Sequence, residues 1–126
     1  MFDHIDARSP VPLYEQIAAE LRLAIAGQEL RPGEALPSVR QLATSLRVNP
    51  ATVVQAYRDL ERGGYVELRH GAGTFVRALT AQRRESERSR QVRALVRRLL
   101  ADAAKLGVGV RELREALAEE TGAKAR

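Results

Sequence analysis

Between Leu36 and Val76 the chain reads LPSVRQLATSLRVNPATVVQAYRDLERGGYVELRHGAGTFV. Proline and glycine break it at Pro37, Asn49-Pro50, Gly63-Gly64 and Gly71 to Gly73, leaving room for two short helices and one hairpin. Ser38 stands where a helix N-cap belongs, and Gln41 three residues later completes a capping-box pattern. Val39, Leu42, Ala43 and Leu46 give that helix a buried face and leave Arg40 and Arg47 outside. Asn49 caps the next helix and Pro50 takes its first position, where a missing N–H is harmless. Val53, Ala56, Tyr57 and Leu60 form its inward stripe, and Ala51, Thr52, Gln55, Arg58 and Arg62 point away. Gly63-Gly64 stops it, one glycine acting as a left-handed C-cap. Tyr65–Arg69 then alternates as a strand does, with Tyr65, Val66 and Leu68 available to the core. His70-Gly71-Ala72-Gly73 is the turn, and Thr74–Arg77 the returning strand.

The flanks follow from the same rules. Pro10 and Pro12 hold the first residues extended, and Phe2 and Ile5 pin them onto the domain. Leu13, Ile17, Leu21, Ala24 and Ile25 make a helical stripe that ends at or near Gly27, with Glu15, Glu20 and Arg22 outward. Pro32-Gly33 is a turn. After the hairpin, Ala78–Ser89 is charged and free of glycine, and reads either as a solvated helix or as a linker that becomes one. From Val92 the stripe Val92, Leu95, Val96, Leu99, Ala103 and Leu106 is amphipathic, with Arg93, Arg97 and Arg98 opposite. Gly107-Val108-Gly109 breaks it, and Val110, Leu113 and Leu117 belong to a short last helix whose tail frays from Thr121. So small a helical pair cannot bury its stripe alone. It must lie on the domain before it or on its copy in a second chain.

The expected fold is therefore mainly α with a small β-hairpin. A winged helix-turn-helix over residues 11–79 is followed by a helical dimerisation region over 80–126. The length of 126 residues suits one such domain and an appendage. With no Trp, three Tyr and two Phe, the core has to be aliphatic. Cysteine is absent, which excludes disulfides, thiolate zinc sites and a Cys nucleophile. Only two histidines are present, so no metal site is expected. Carboxylate pairs, phosphate loops of known spacing and nucleophile constellations are missing too, so no catalytic residue, no cofactor and no enzyme is expected. No apolar run is long enough to span a bilayer and no secretory signal opens the chain, which points to a cytoplasmic protein without a membrane partner.

The charge directs attention to a polyanion. The net charge is +5 and the isoelectric point near 10.4, and its distribution is polarised. Residues 1–37 hold three Arg and six acids, residues 38–79 six Arg and three acids, and residues 80–126 twelve basic residues and seven acids. Arginine supplies all but two of the basic residues. It forms bidentate bonds with phosphate and guanine, although a GC-rich genome would produce the same bias.

A helix of the length expected from Pro50 is slim enough for a major groove about 12 Å wide. Ala51 and Thr52 at its start permit close approach, and the Thr52 and Gln55 side chains can meet thymine methyl and adenine edges. Singly, either is more often an ordinary solvated residue; within this motif the base-contact reading outweighs that. Helix starts at Ser38 and Asn49 favour a phosphate oxygen, and Arg40 adds a charged contact. Arg69, His70 and Gly71 at the hairpin tip suit a minor groove, with a plain turn as the alternative for His70. The arginines of residues 83–98 form a solvated face more often than a second grip on DNA.

These residues resemble the GntR family of bacterial transcription factors, over roughly Val11 to Arg77. The resemblance rests on Pro12-Leu13-Tyr14, Leu36-Pro37-Ser38 with Arg40, Leu42 and Ala43, Val48-Asn49-Pro50 with Thr52-Val53, and Leu60-Glu61. Its most specific piece is His70-Gly71-Ala72-Gly73-Thr74-Phe75-Val76. It implies operator contacts from Arg40, Asn49, Ala51, Thr52, His70 and Gly71. Many members carry Arg where Pro50 and Val54 stand here, so their base preference does not transfer. Asn-Pro at this place, Ser38-Val39-Arg40 and a short region after the wing resemble the YtrA-like subfamily. That likeness implies a dimeric repressor of a palindromic operator in double-stranded DNA, paired through Val92, Leu95, Val96, Leu99, Ala103, Leu106, Leu113 and Leu117, and acting on a transporter operon. Two other readings stay open: a winged-helix protein-interaction module, and a regulator with a small effector, of unknown identity, at the dimer seam.

Overall fold

The computed structural model describes residues 1–122. In chain order it contains α1 (Leu13–Ala26), α2 (Val39–Leu46), α3 (Pro50–Arg62), β1 (Val66–Arg69), β2 (Gly73–Val76), α4 (Ala81–Lys105) and α5 (Val110–Thr121). Two compact units form along the chain, Met1–Arg88 and a second beginning at Ser89.

The first unit is built around α3, which packs on α1, α2 and β1. Its core is aliphatic, as the composition requires: Ile17, Leu21, Val53, Leu60, Val66 and Val76 are all but sealed from solvent. Both expected caps are present. Ser38 Oγ accepts from the Gln41 amide at 3.1 Å while the Gln41 side chain accepts from the Ser38 amide at 3.0 Å, closing the capping box. Asn49 Oδ1 accepts from the Ala51 amide at 2.9 Å. At the far end of α3 the Gly64 amide reaches Glu61 O and the Tyr65 amide reaches Leu60 O. Those two bonds make a Schellman motif, and Gly64 supplies its left-handed residue with φ 77°.

The hairpin pairs Val66 with Val76 through to Arg69 with Gly73. Its other edge is not open. Val76 N–H donates to Glu34 O and Leu36 N–H to Thr74 O, both at 2.8 Å, and Ala35 bridges Phe75. The segment after Pro32-Gly33 is thus a third, irregular strand on β2 rather than simple passage into α2. Periodicity could not reveal it, because so short a strand shows no alternation.

The N-terminal residues are fastened as expected. Phe2 and Ile5 pack on the core, and the Gln16 amide group bonds Asp6 N and O and Val11 O. Two side chains depart from their expected places. Leu68 lies 61% exposed on the wing, because inward alternation ends once β1 passes the edge of the helical layer. Arg22, expected outward, is half-buried and pairs with Asp59 on α3 at 3.3 Å.

The first compact unit runs on past residue 79. Residues 80–88 belong with the first compact unit, because Thr80 caps α4 through the Arg83 amide and the first turns of the helix carry buried contacts. In the second unit the Gly107 turn closes on Ala103, whose carbonyl accepts from Leu106 and Val108. Helix α5 continues to Thr121, whose hydroxyl donates to Leu117 O at 2.8 Å, so Thr121 ends a helix where fraying was expected; the tail from residue 123 lies outside the described residues.

Candidate nucleic-acid interface

The outer edge of α3 carries Asn49, Pro50, Ala51, Gln55 and Arg58 exposed and Thr52 half-exposed. Val53, Ala56, Tyr57 and Leu60 are buried behind them. This division follows from helical periodicity, since the two sets lie on opposite faces. A shallow groove runs along this edge, lined by Ala51, Val54, Gln55, Arg58, Glu61 and Arg62. Its lining combines two guanidinium groups, one carboxylate, one amide and two small aliphatic side chains. Glu61 is engaged with the Leu68 amide at 3.2 Å, and Arg62 leans toward Asp59 at 3.5 Å.

The relation of α2 to α3 is held by Tyr57, whose hydroxyl donates to Pro37 O at 2.7 Å. Burial pushes that phenol up to about 12, so it stays a hydrogen-bond donor at any physiological pH. Through this bond the residue before the α2 cap is tied to the middle of α3. Ser38 and Arg40 follow directly on that tied residue, and both are exposed.

Helix starts attract anions only while their amides are open. At α3 most of them are spent: Pro50 has no N–H, Asn49 Oδ1 holds the Ala51 amide and Asn49 O holds the Thr52 amide at 2.9 Å. At α2 the box consumes the amides of Ser38 and Gln41, and those of Val39 and Arg40 precede any intrahelical partner. The two helix starts treated alike by the sequence are therefore unequal. Val39 and Arg40 keep backbone donors at the start of α2, whereas at α3 Pro50 has none and the amides of Ala51 and Thr52 are engaged.

The wing tip turns through a bond from the Ala72 amide to Arg69 O at 2.9 Å, with Gly71 at φ 77°; a side chain there would be strained. His70 and Gly71 are exposed at the apex. Arg69 is more constrained than the sequence suggests. Its guanidinium lies 4.3 Å from the centre of the Phe75 ring and bonds Glu67 at 2.8 and 2.9 Å. Arg69 and Glu67 are two residues apart on one strand and share a face, a pairing readable from spacing but overlooked.

Along α4 and α5, Val92, Leu95, Val96, Leu99, Leu106 and Leu117 are exposed, by 47% to 80%. Leu113 is half-buried, and Ala103 is covered within its own chain, so it offers nothing to a second copy. Leu100 and Val110 join the exposed set. Among the described residues no group of His, Cys, Asp and Glu could hold a metal ion, and no helix is long and apolar enough to cross a membrane.

The profile of bacterial regulatory proteins of the gntR family matches residues 13–76, which span α1 to the end of β2. The transcriptional repressor YtrA of Bacillus subtilis is 36% identical over 115 residues, covering 91% of this chain and 88% of its own. A GntR family transcriptional regulator from Listeria monocytogenes superposes with a TM-score of 0.70 at 27% identity, covering 90% of this chain and 97% of its own. The DNA-binding domain of AraR, solved in complex with operator ORX1, superposes with a TM-score of 0.52 at 27% identity over 55% of this chain and 89% of its own.

Proposed function

Because the chain belongs to the GntR family of DNA-binding transcriptional regulators, and not among enzymes, we propose that it is a dimeric repressor that binds a palindromic operator. The observation that carries this reading is the joint presentation of three features by one small unit: the open start of α2 with Arg40, the polar edge of α3, and the glycine tip of the wing. Phosphate contacts then come from the α2 amides and Arg40, and base contacts from Thr52 and Gln55 in the major groove. Asn49, Pro50 and Ala51 allow the close approach that these contacts need. His70 and Gly71, with Arg69 alongside, enter a neighbouring minor groove.

The exposed aliphatic stripe supports pairing. Eight exposed large hydrophobics in the α4–α5 region, Val92 to Leu117, form a surface that a second copy would cover, and a two-fold pair implies a two-fold operator. Residues 80–126 then serve as the dimerisation region, with the first turns of α4 shared with the winged domain. The relative named YtrA is a repressor, which favours repression here. A transporter operon as the target, a cytoplasmic location and action without a cofactor complete the proposal.

Selection of bound fragments from genomic DNA tests it. A recovered consensus with inverted symmetry is expected. Arg40→Ala should weaken binding to every sequence and lower the salt dependence by about one phosphate contact, whereas Thr52→Ala should relax sequence choice at one position in each half-site. An asymmetric consensus, or variants indistinguishable from the parent at controlled salt, would sink the assignment.

A further inference from the structure

Glu87 is the one charged side chain buried among the described residues, 4% exposed, and operator contact does not explain it. It lies in the second turn of α4, and its carboxylate accepts from the Tyr65 hydroxyl at 2.6 Å. One turn earlier, Arg83 donates to Gly63 O and stacks over the Tyr65 ring, 5.2 Å from its centre. Tyr65 is the residue that leaves α3 and leads into β1. Gly63 is the C-cap of α3.

Gly63 supplies an independent sign that this junction is built. Its φ of −76° suits any residue, so conformational freedom does not require glycine there. Space does: a Cβ on Gly63 would sit 2.8 and 2.9 Å from two carbons of the Tyr65 ring. The ring is therefore pressed against the end of α3, with Arg83 on its face and Glu87 at its tip. Beyond it, Tyr65 O accepts from the Arg77 amide at 2.9 Å, which extends the hairpin ladder. A buried carboxylate is costly unless it is partnered, so its presence marks a place where a defined arrangement matters more than apolar packing.

We propose that the first two turns of α4 are a working part of the DNA-reading unit, with Glu87 and Arg83 acting through Tyr65 as positioning residues that set the wing against the C-terminal end of α3. The proposal rests on the reading of α3 and the wing as the DNA-contacting elements. A loosened junction lets the wing tip and the edge of α3 move independently. Binding that needs both at once, the sequence-specific mode, weakens, while non-specific attraction to phosphate persists.

The test uses the full-length chain and two duplexes: a fragment enriched by the parent protein from random sequence, and a scrambled duplex of equal composition. Glu87→Gln keeps an acceptor for the Tyr65 hydroxyl and should bind the enriched duplex within about twofold of the parent. Glu87→Ala and Tyr65→Phe should each lose on the order of tenfold on that duplex, with unchanged affinity for the scrambled one and unchanged sedimentation. Should Glu87→Ala fold poorly, Arg83→Met probes the same junction from its partly exposed side, and loss of discrimination is again expected. Equal losses on both duplexes, or a fall in melting temperature with discrimination intact, would overturn the proposal and leave the junction a matter of stability alone. A parent protein that enriches no sequence would overturn the functional reading together with this one.

Discussion

The two units of this chain treat the same kind of residue in opposite ways. In Met1–Arg88 most of the helical stripes are closed over: Ile17, Ala18, Val53, Ala56 and Leu60 show no exposure. From Ser89 on, Ala103 is the only buried hydrophobic among the described residues, and helix α5 buries none. Sequence periodicity is equally clear in both, so periodicity marks which face is apolar without saying what covers it. A face covered inside its own chain gives a core. Left bare on a charged helix, the same face gives an adhesive surface.

The sharpest way to break this comparison is to empty the closed core. Leu60 is fully buried where α3 meets the elements around it, and Leu60→Ala should cost about 2–5 kcal/mol of stability through lost burial and the cavity left behind. Denaturant titration of the variant against the parent measures it. A loss below about 1 kcal/mol would mean that the first unit collapses around the gap and is less rigid than its burial implies.

A smaller effect is expected from charging the open stripe. Leu99 is 48% exposed, so Leu99→Glu removes little that the single chain uses and should barely change the melting of the first unit. The proposed pairing is another matter, since a carboxylate set into an apolar contact between two copies would be left without a partner. Sedimentation should show a monomer, and operator affinity should fall by roughly a hundredfold because two half-sites no longer share one bound pair. A variant that still sediments as the parent does would separate the stripe from pairing.

The same contrast explains what could be read from the sequence. Both caps of the helix-turn-helix, the Gly63-Gly64 stop and the glycine turn of the wing were legible because each is a local rule acting over three or four residues. The faces of α2 and α3 were legible from period alone. Contacts between residues far apart in sequence were not. Arg22 finds Asp59, Glu34 finds Val76 and Glu87 finds Tyr65 only after the elements have packed, and no spacing announces any of them. Glu87 is the instructive case, since within the charged run QRRESERSR it has the sequence character of a solvated residue. Of the interface residues, the inequality of the two helix starts was hidden for a related reason: Pro50 and Asn49 were each read correctly, and only their joint consumption of the α3 donors changes what that terminus can offer.

The smallest expected effect concerns Tyr57, whose hydroxyl ties the residue before the α2 cap to the middle of α3. Its hydroxyl is held by Pro37 O, and burial raises its titration from the ordinary 10 to about 12. The folded state therefore binds this proton more tightly than the unfolded chain does. Its contribution to stability is fully present below pH 10 and is lost as the pH rises through about 12. Alkaline titration followed by tyrosinate absorbance should show a late-ionising component that shrinks by one phenol in Tyr57→Phe. That variant keeps the ring in the core and loses only the hydroxyl, so it should cost about 1 kcal/mol at neutral pH. Where that loss appears separates packing from positioning. If Tyr57 only fills space, operator binding follows the small change in folding. If it also fixes α2 against α3, the loss shows first as weaker contact by Arg40, measured as a reduced salt dependence of binding while the fold is still fully populated.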